Sequence, residues 1–154
     1  VILVLLGTNP YPFERLARAV DDLAGRLGWD VFIQSGHTVY DFKHCRFVPF
    51  LRREDVLAKV HVCEFMIVQG GCGSIHEGLA AGKPVIAAPR QPELGESQDR
   101  QEELVHALES KGCVIGLYDV TDLESAVAHA RTFRAAPLPP NQIPSIIRNF
   151  LKVL

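Results

Sequence analysis

Short apolar runs that alternate with segments of helical periodicity constrain this chain more than any other feature. "VILVLL" at residues 1–6 is apolar without alternation, the pattern of a strand covered on both faces. Residues 7–12 read as a turn. From Phe13 the apolar positions Leu16, Val20, Leu23, Ala24 and Leu27 recur at helical spacing, and Gly28 ends the helix. "DVFIQ" is the next strand and "CRFVPF" a short one, followed by a helix over residues 52–59. "FMIVQ" (65–69) is a central strand, with a helix over 74–81 closed by Gly82. "PVIAAP" is a strand. A helix over 98–111 follows, with Leu104 and Leu108 inward and Gly112 as its cap. "CVIGLY" is the last strand, and "TDLE" is a capping box that opens a helix over 121–132. Strands alternating with helices predict an α/β fold: one Rossmann-like parallel sheet with helices on both faces.

A chain of 154 residues, 47% hydrophobic, is long enough to bury one sizeable core. The predicted organisation is a domain over 1–134, a proline-rich linker over 135–144 and a carboxyl-terminal helix over 145–154. In that helix Ile146, Ile147, Phe150, Leu151 and Leu154 share one face, which is expected to dock on its own domain, or on a partner chain or a membrane surface, with a protein groove favoured over lipid. A net charge of -2 offers no footprint for nucleic acid. Cys45, Cys63, Cys72 and Cys113 form no C-x-x-C pair, which points to a reduced, cytoplasmic setting. No apolar run reaches the roughly 18 residues of a membrane span. The first residues carry no basic segment of a secretion signal. The chain opens on Val1 without an initiator Met, as a trimmed or excised chain does.

The chemistry concentrates in "VQGGCGSIHEGLAAGKPVIAAP". Gly70, Gly71 and Gly73 fall between the carboxyl end of a strand and the start of a helix, the edge where open parallel sheets bind ligands. A helix start carries unpaired N–H groups and partial positive charge, which suit phosphate. The glycines are expected to allow close backbone approach and positive φ, and Ser74 adds a hydroxyl. The loop is neither G-x-G-x-x-G nor a P-loop. Ser74 and Glu77 also fit S-x-x-E, a capping box in which Glu77 only bonds the Ser74 backbone. The Cys72 side chain is expected to pack, and no D-x-D metal motif occurs.

"GGCGSIHEGLAAGKPVIAAPR", followed by "SQDRQEELVHALESKG", resembles the carboxyl-terminal, donor-binding domain of glycosyltransferase family 28, one half of the GT-B architecture. "LLGTNPYPFERLARAVD" resembles the opening of its short, stand-alone members, the donor subunits of split transferases in exopolysaccharide and dolichol-linked glycan assembly. The resemblance extends over about residues 3–118. It implies that backbone at Gly71, Cys72, Gly73 and Ser74 holds the diphosphate of a UDP-sugar. It also implies that Glu77 accepts from both ribose hydroxyls, as a two-oxygen carboxylate can. Asp99 and Gln101 would face the donor sugar. Gly7 and Thr8 would border the crevice, and Phe47 and Val48 would receive the base edge. Arg90 lies near the phosphates or is a solvated loop charge. His76 and His37 are each a sugar or crevice contact, or incidental.

One departure is Gln69, where the family has His. A carboxamide donates and accepts but holds no charge and is no base near neutral pH. The resemblance implies an inverting transferase that uses no cofactor and no obligate metal, with UDP-sugar as substrate. Its acceptor is a lipid-linked sugar. A membrane-anchored acceptor-binding subunit would supply the catalytic base and recruit the chain to the cytoplasmic face of the membrane. The alternatives are a non-catalytic nucleotide-sugar-binding regulatory subunit and a nucleotide-sugar epimerase-like protein. An NAD-binding or flavodoxin-like protein fits less well, because the glycine loop comes late in the chain.

Overall fold

A computed structural model of the chain describes residues 1–137 and Arg148. Six parallel strands form one sheet in the order β3-β2-β1-β4-β5-β6. They are β1 Ile2–Leu5, β2 Val31–Gln34, β3 Arg46–Val48, β4 Met66–Gln69, β5 Val85–Ala88 and β6 Ile115–Gly116. The helices are α1 Glu14–Leu27, α2 Arg53–Val62, α3 Cys72–Ala80, α4 Glu102–Glu109 and α5 Leu123–Ala130.

Side chains alternate faces along a strand, so covering both faces demands the unbroken apolar runs of the sequence. Ile2, Val4, Ile33, Ile67 and Ile86 pack on one side with Leu16, Val20 and Ala24 of α1 and Val127 of α5. Leu3, Leu5, Met66, Val68 and Val85 pack on the other with Val60 of α2, Ile75 of α3 and Val105 of α4. Gly28 ends α1 as expected: it sits at φ 67 and its N–H bonds the Ala24 carbonyl.

Three local expectations are corrected. The helix predicted over 98–111 begins only at Glu102. Ser97 Oγ bonds the Asp99 carbonyl at 2.7 Å, turning the chain before the helix can start. Its buried residue is Val105, while Leu104 stands exposed. Residues 104 and 108 share a face, but so do 105 and 108; the crossing of α4 over the sheet turned the second pair inward. The "TDLE" capping box does not form. Asp119 is the cap instead, its Oδ1 accepting from the Thr121 N–H at 2.9 Å and the Thr121 hydroxyl at 2.8 Å. A short 3-10 turn, Val120–Asp122, then leads into α5. The third correction is the start of α3, two residues earlier than expected, at Cys72.

At the end of the domain, Ala136 donates its N–H to the Gly112 carbonyl at 2.8 Å and packs against the second core layer. Most of the predicted linker and the helix expected over 145–154 lie outside the described residues. Among the described residues, no helix is long and apolar enough to cross a membrane.

Candidate functional site

β1 and β4 are neighbours in the sheet, yet the chain leaves them toward opposite edges. Their carboxyl ends therefore part and leave a crevice, the switch point of an open parallel sheet. An open groove of about 530 Å³ occupies it. Gly7 and Thr8 line it from the end of β1, and Gly71, Cys72, Gly73, Ser74 and Glu77 from the start of α3. These are seven of the residues singled out in the sequence, brought together from two distant segments.

α3 has no side-chain cap: Gly71 is its N-cap at φ -79, ψ 141, and no side chain bonds the first turn. The first N–H groups of the helix are thus left for a ligand or water. The loop glycines do not take positive φ as expected; close packing is what requires Gly70 and crowds Gly71, while Gly73 has open space around it. A Cβ at Gly70 would lie 2.8 Å from the Gln101 Cβ and 3.0 Å from the Pro89 Cα. Positive φ occurs instead across the crevice, at Gly7, with φ +83.

Because α3 starts at Cys72, Ser74 is its third residue and cannot be an N-cap. The capping-box reading of Ser74 and Glu77 is therefore excluded. The Glu77 side chain is 19% exposed, and its ion-pair partner is Arg53, 3.7 Å away and 80% exposed. The carboxylate is held on the groove wall with free acceptor capacity.

Sequence reasoning missed Arg53, Leu51 and Val56, which close the groove from the start of α2, and Gln34; Gln69, noted there only as a departure from histidine, lines the groove as well. The two glutamines had a signal: "DVFIQ" and "FMIVQ" both end an apolar run on Gln, at the edge where ligands bind. Gln34 ties that edge together, donating from Nε2 to the Gly7 carbonyl at 3.2 Å and the Pro49 carbonyl at 3.0 Å. Arg53 had no such signal, since only the tertiary fold sets α2 beside α3.

Arg90 is neither a solvated charge nor on the groove wall; it is buried to 2% exposure. Its guanidinium donates to the carbonyls of Leu6 at 2.6 Å, Tyr11 at 2.8 Å and Glu96 at 2.7 Å, and to Gln69 Oε1 at 2.8 Å. Burial draws its pKa down to about 10, with the nearby Glu96 carboxylate opposing the drop. Arg15 holds that carboxylate with two bonds of 3.0 Å.

Gln101 lies behind the groove, bonded to the Arg90 N–H and to Gln69. Asp99 is exposed in the segment before α4 and does not line the groove. Phe47 is 46% exposed and packs on Phe42 with ring centroids 4.8 Å apart. The Val48 carbonyl accepts from the Ser35 N–H at 2.9 Å. Neither lines the groove; Leu51, just beyond them, does. Cys72 is exposed on the groove wall, contrary to the packing role expected for it. His76 is exposed, and His37 packs edge-on against Phe50 at 5.1 Å. Among the described residues, no group of three or more His, Cys, Asp or Glu side chains could hold a metal ion.

No protein-family model matches the chain, and no curated protein matches it. Solved structures do. A glycotransferase of kitacinnamycin superposes with a TM-score of 0.67 at 17% identity, over 85% of this chain and 34% of that one. The calicheamicin glycosyltransferase CalG4 gives 0.66 at 15% identity, over 84% and 34%. The glycosyltransferase SnogD from Streptomyces nogalater gives 0.52 at 18% identity, over 84% and 34%. The chain spans about a third of the length of these GT-B glycosyltransferases. The fold is the one expected from the sequence, a Rossmann-like domain of the GT-B carboxyl-terminal type.

Proposed function

We propose that this domain binds the UDP-sugar donor of an inverting glycosyltransferase that acts on a polyprenyl-linked acceptor in polysaccharide or glycan assembly. One observation carries the reading: an uncapped helix start and a free carboxylate lie on the same groove wall. Glu77 is five residues beyond Cys72, about 7.5 Å along the helix axis. That separation suits a nucleotide whose diphosphate sits on the first turn and whose ribose hydroxyls reach the carboxylate. Carboxylates accept such paired hydroxyls well, and helix starts favour phosphate.

The proposed reaction breaks the bond between the anomeric carbon and the diphosphate oxygen. The electron pair leaves with UDP, and the backbone N–H groups and helix dipole stabilise that charge. No metal has a part in this reading. The acceptor hydroxyl attacks from the opposite face and gives its proton to a general base. Among the described residues, Glu77 is the one carboxylate on the groove wall, and no histidine lies there. Glu77 is engaged with ribose in this scheme, so we assign the base to an acceptor-binding half. We place that half on a membrane-anchored partner subunit, which would also recruit the chain to the cytoplasmic face of the membrane.

Calorimetry tests the core of the reading: UDP should bind, and AMP and NAD should not. Tighter binding of NAD than of UDP rejects it. The chain alone should transfer sugar to a prenyl-linked acceptor poorly, and transfer should rise when the partner is added. Full turnover without a partner refutes the split arrangement. UDP binding without transfer in the partner's presence favours a regulatory subunit.

A further inference from the structure

The Gln69 carboxamide is held in one orientation by partners that can only donate. Its two ends have nearly the same shape, and hydrogen bonding decides which is which. Arg90 Nε lies 2.8 Å from one end. A guanidinium has no acceptor, so that end is Oε1. Gln101 is fixed by the same logic: the Arg90 main-chain N–H lies 3.0 Å from its Oε1. Its Nε2 therefore faces Gln69 Oε1, at 3.3 Å, as a second donor. Arg90 itself is anchored on the carbonyls of Leu6, Tyr11 and Glu96. Neither amide can flip without setting donor against donor.

The consequence falls on Gln69 Nε2, which is turned away from Arg90 toward two groove-lining loops. A Cβ at Gly7 would lie 2.2 Å from it, and one at Gly71 3.0 Å. Both glycines keep open the space this amide fills. Among the described residues, no acceptor bonds it. Every buried side-chain nitrogen and oxygen among them does have a partner, so Nε2 is not a buried orphan but opens onto the groove that Gln69 lines. The amide is thus a preset neutral donor beside the free N–H groups of α3.

We infer that Gln69 donates from Nε2 to an oxygen of the bound nucleotide's diphosphate, and that Arg90 and Gln101 are positioning residues that fix it for that bond. This rests on the nucleotide reading above. It gives the departure from histidine a physical content: where imidazole would gain or lose charge near neutrality, this donor stays constant because a permanent cation behind it sets its direction.

The test uses the full chain with UDP and uridine as probes. Gln69→Leu should weaken UDP about ten-fold, as loss of a hydrogen bond to a charged acceptor does, and leave uridine within two-fold. Gln69→Glu should weaken UDP further, because it keeps an acceptor for Arg90 but turns a carboxylate oxygen toward the diphosphate. Gln101→Leu should cost UDP a smaller factor and shift the Gln69 side-chain amide signal in the ¹⁵N spectrum. That signal should also move when UDP is added to the unmutated chain, a readout that stands even if a variant misfolds. If the unmutated chain binds UDP while Gln69→Leu binds it within two-fold of normal, or the amide signal ignores UDP, the inference is overturned and the nucleotide reading stands. If the unmutated chain does not bind UDP, both fall.

Discussion

Replacing Glu77 with alanine separates a ligand carboxylate from a structural one. The side chain caps nothing, because α3 begins at Cys72 and Ser74 lies inside the helix. Its ion pair with Arg53 is long, at 3.7 Å, and the arginine is 80% exposed. Solvent-screened pairs of that kind contribute about 0–1 kcal/mol, and alanine recovers a few tenths through helix propensity. Stability should therefore change by less than about 1 kcal/mol. In the bound state the carboxylate accepts from two ribose hydroxyls, and losing them should cost roughly 2–4 kcal/mol of affinity. That is about a 30- to 900-fold rise in the Kd for UDP. Urea unfolding and UDP calorimetry on the same preparation measure both quantities. A variant that unfolds several kcal/mol early yet binds UDP normally refutes the reasoning and makes Glu77 a structural residue.

Gly7→Ala and Gly73→Ala should part company. Gly7 combines φ +83 with a Cβ position 2.2 Å from Gln69 Nε2, so alanine there should cost about 1–3 kcal/mol of stability in urea unfolding. Gly73 is helical with open space around it; alanine should hold or raise stability by up to about 1 kcal/mol, while calorimetry shows UDP weakened by the methyl on the groove wall. Arg90→Met should lower stability by about 3–5 kcal/mol by chemical denaturation, since it leaves the buried carbonyls of Leu6 and Glu96 and the partly buried one of Tyr11 without their donor. Asp21 links α1 to the chain before β3. Burial raises its pKa, but the N–H groups of Lys43, His44 and Cys45 outweigh that and hold it below the usual carboxylate value. A depressed folded value stabilises above the unfolded pKa of about 3.9 and is lost as pH falls through the folded one. Asp21→Asn should therefore cost about 1–3 kcal/mol at pH 7 and flatten the loss of stability below about pH 4 in a pH series of melts.

How far a residue could be read from the sequence depended on the range of the force that placed it. Unbroken apolar runs announced doubly covered strands because side-chain alternation leaves a buried strand no polar face. Gly28 announced the end of α1 because a left-handed cap is a property of one residue and its neighbours. The phosphate-type loop was visible for the same reason: a strand end, small residues and a helix start lie within one short stretch of sequence.

Other positions were settled by encounters between distant segments. Whether Leu104 or Val105 faces the sheet is one helical step, and the crossing of α4 chose Val105. Ser74-x-x-Glu77 is a capping box if the helix starts at 74 and an open carboxylate if it starts at 72; both satisfy local rules, and the packed domain has the second. Arg90 reads as a loop charge because its partners, Leu6 and Tyr11, are some eighty positions away. Chain-distant carbonyls carry no sequence signature, since every residue has one. For that reason the apolar pattern alone predicted the parallel sheet, while the direction of the Gln69 amide and the freedom of Glu77 were set only when the ends of β1 and β4 came together.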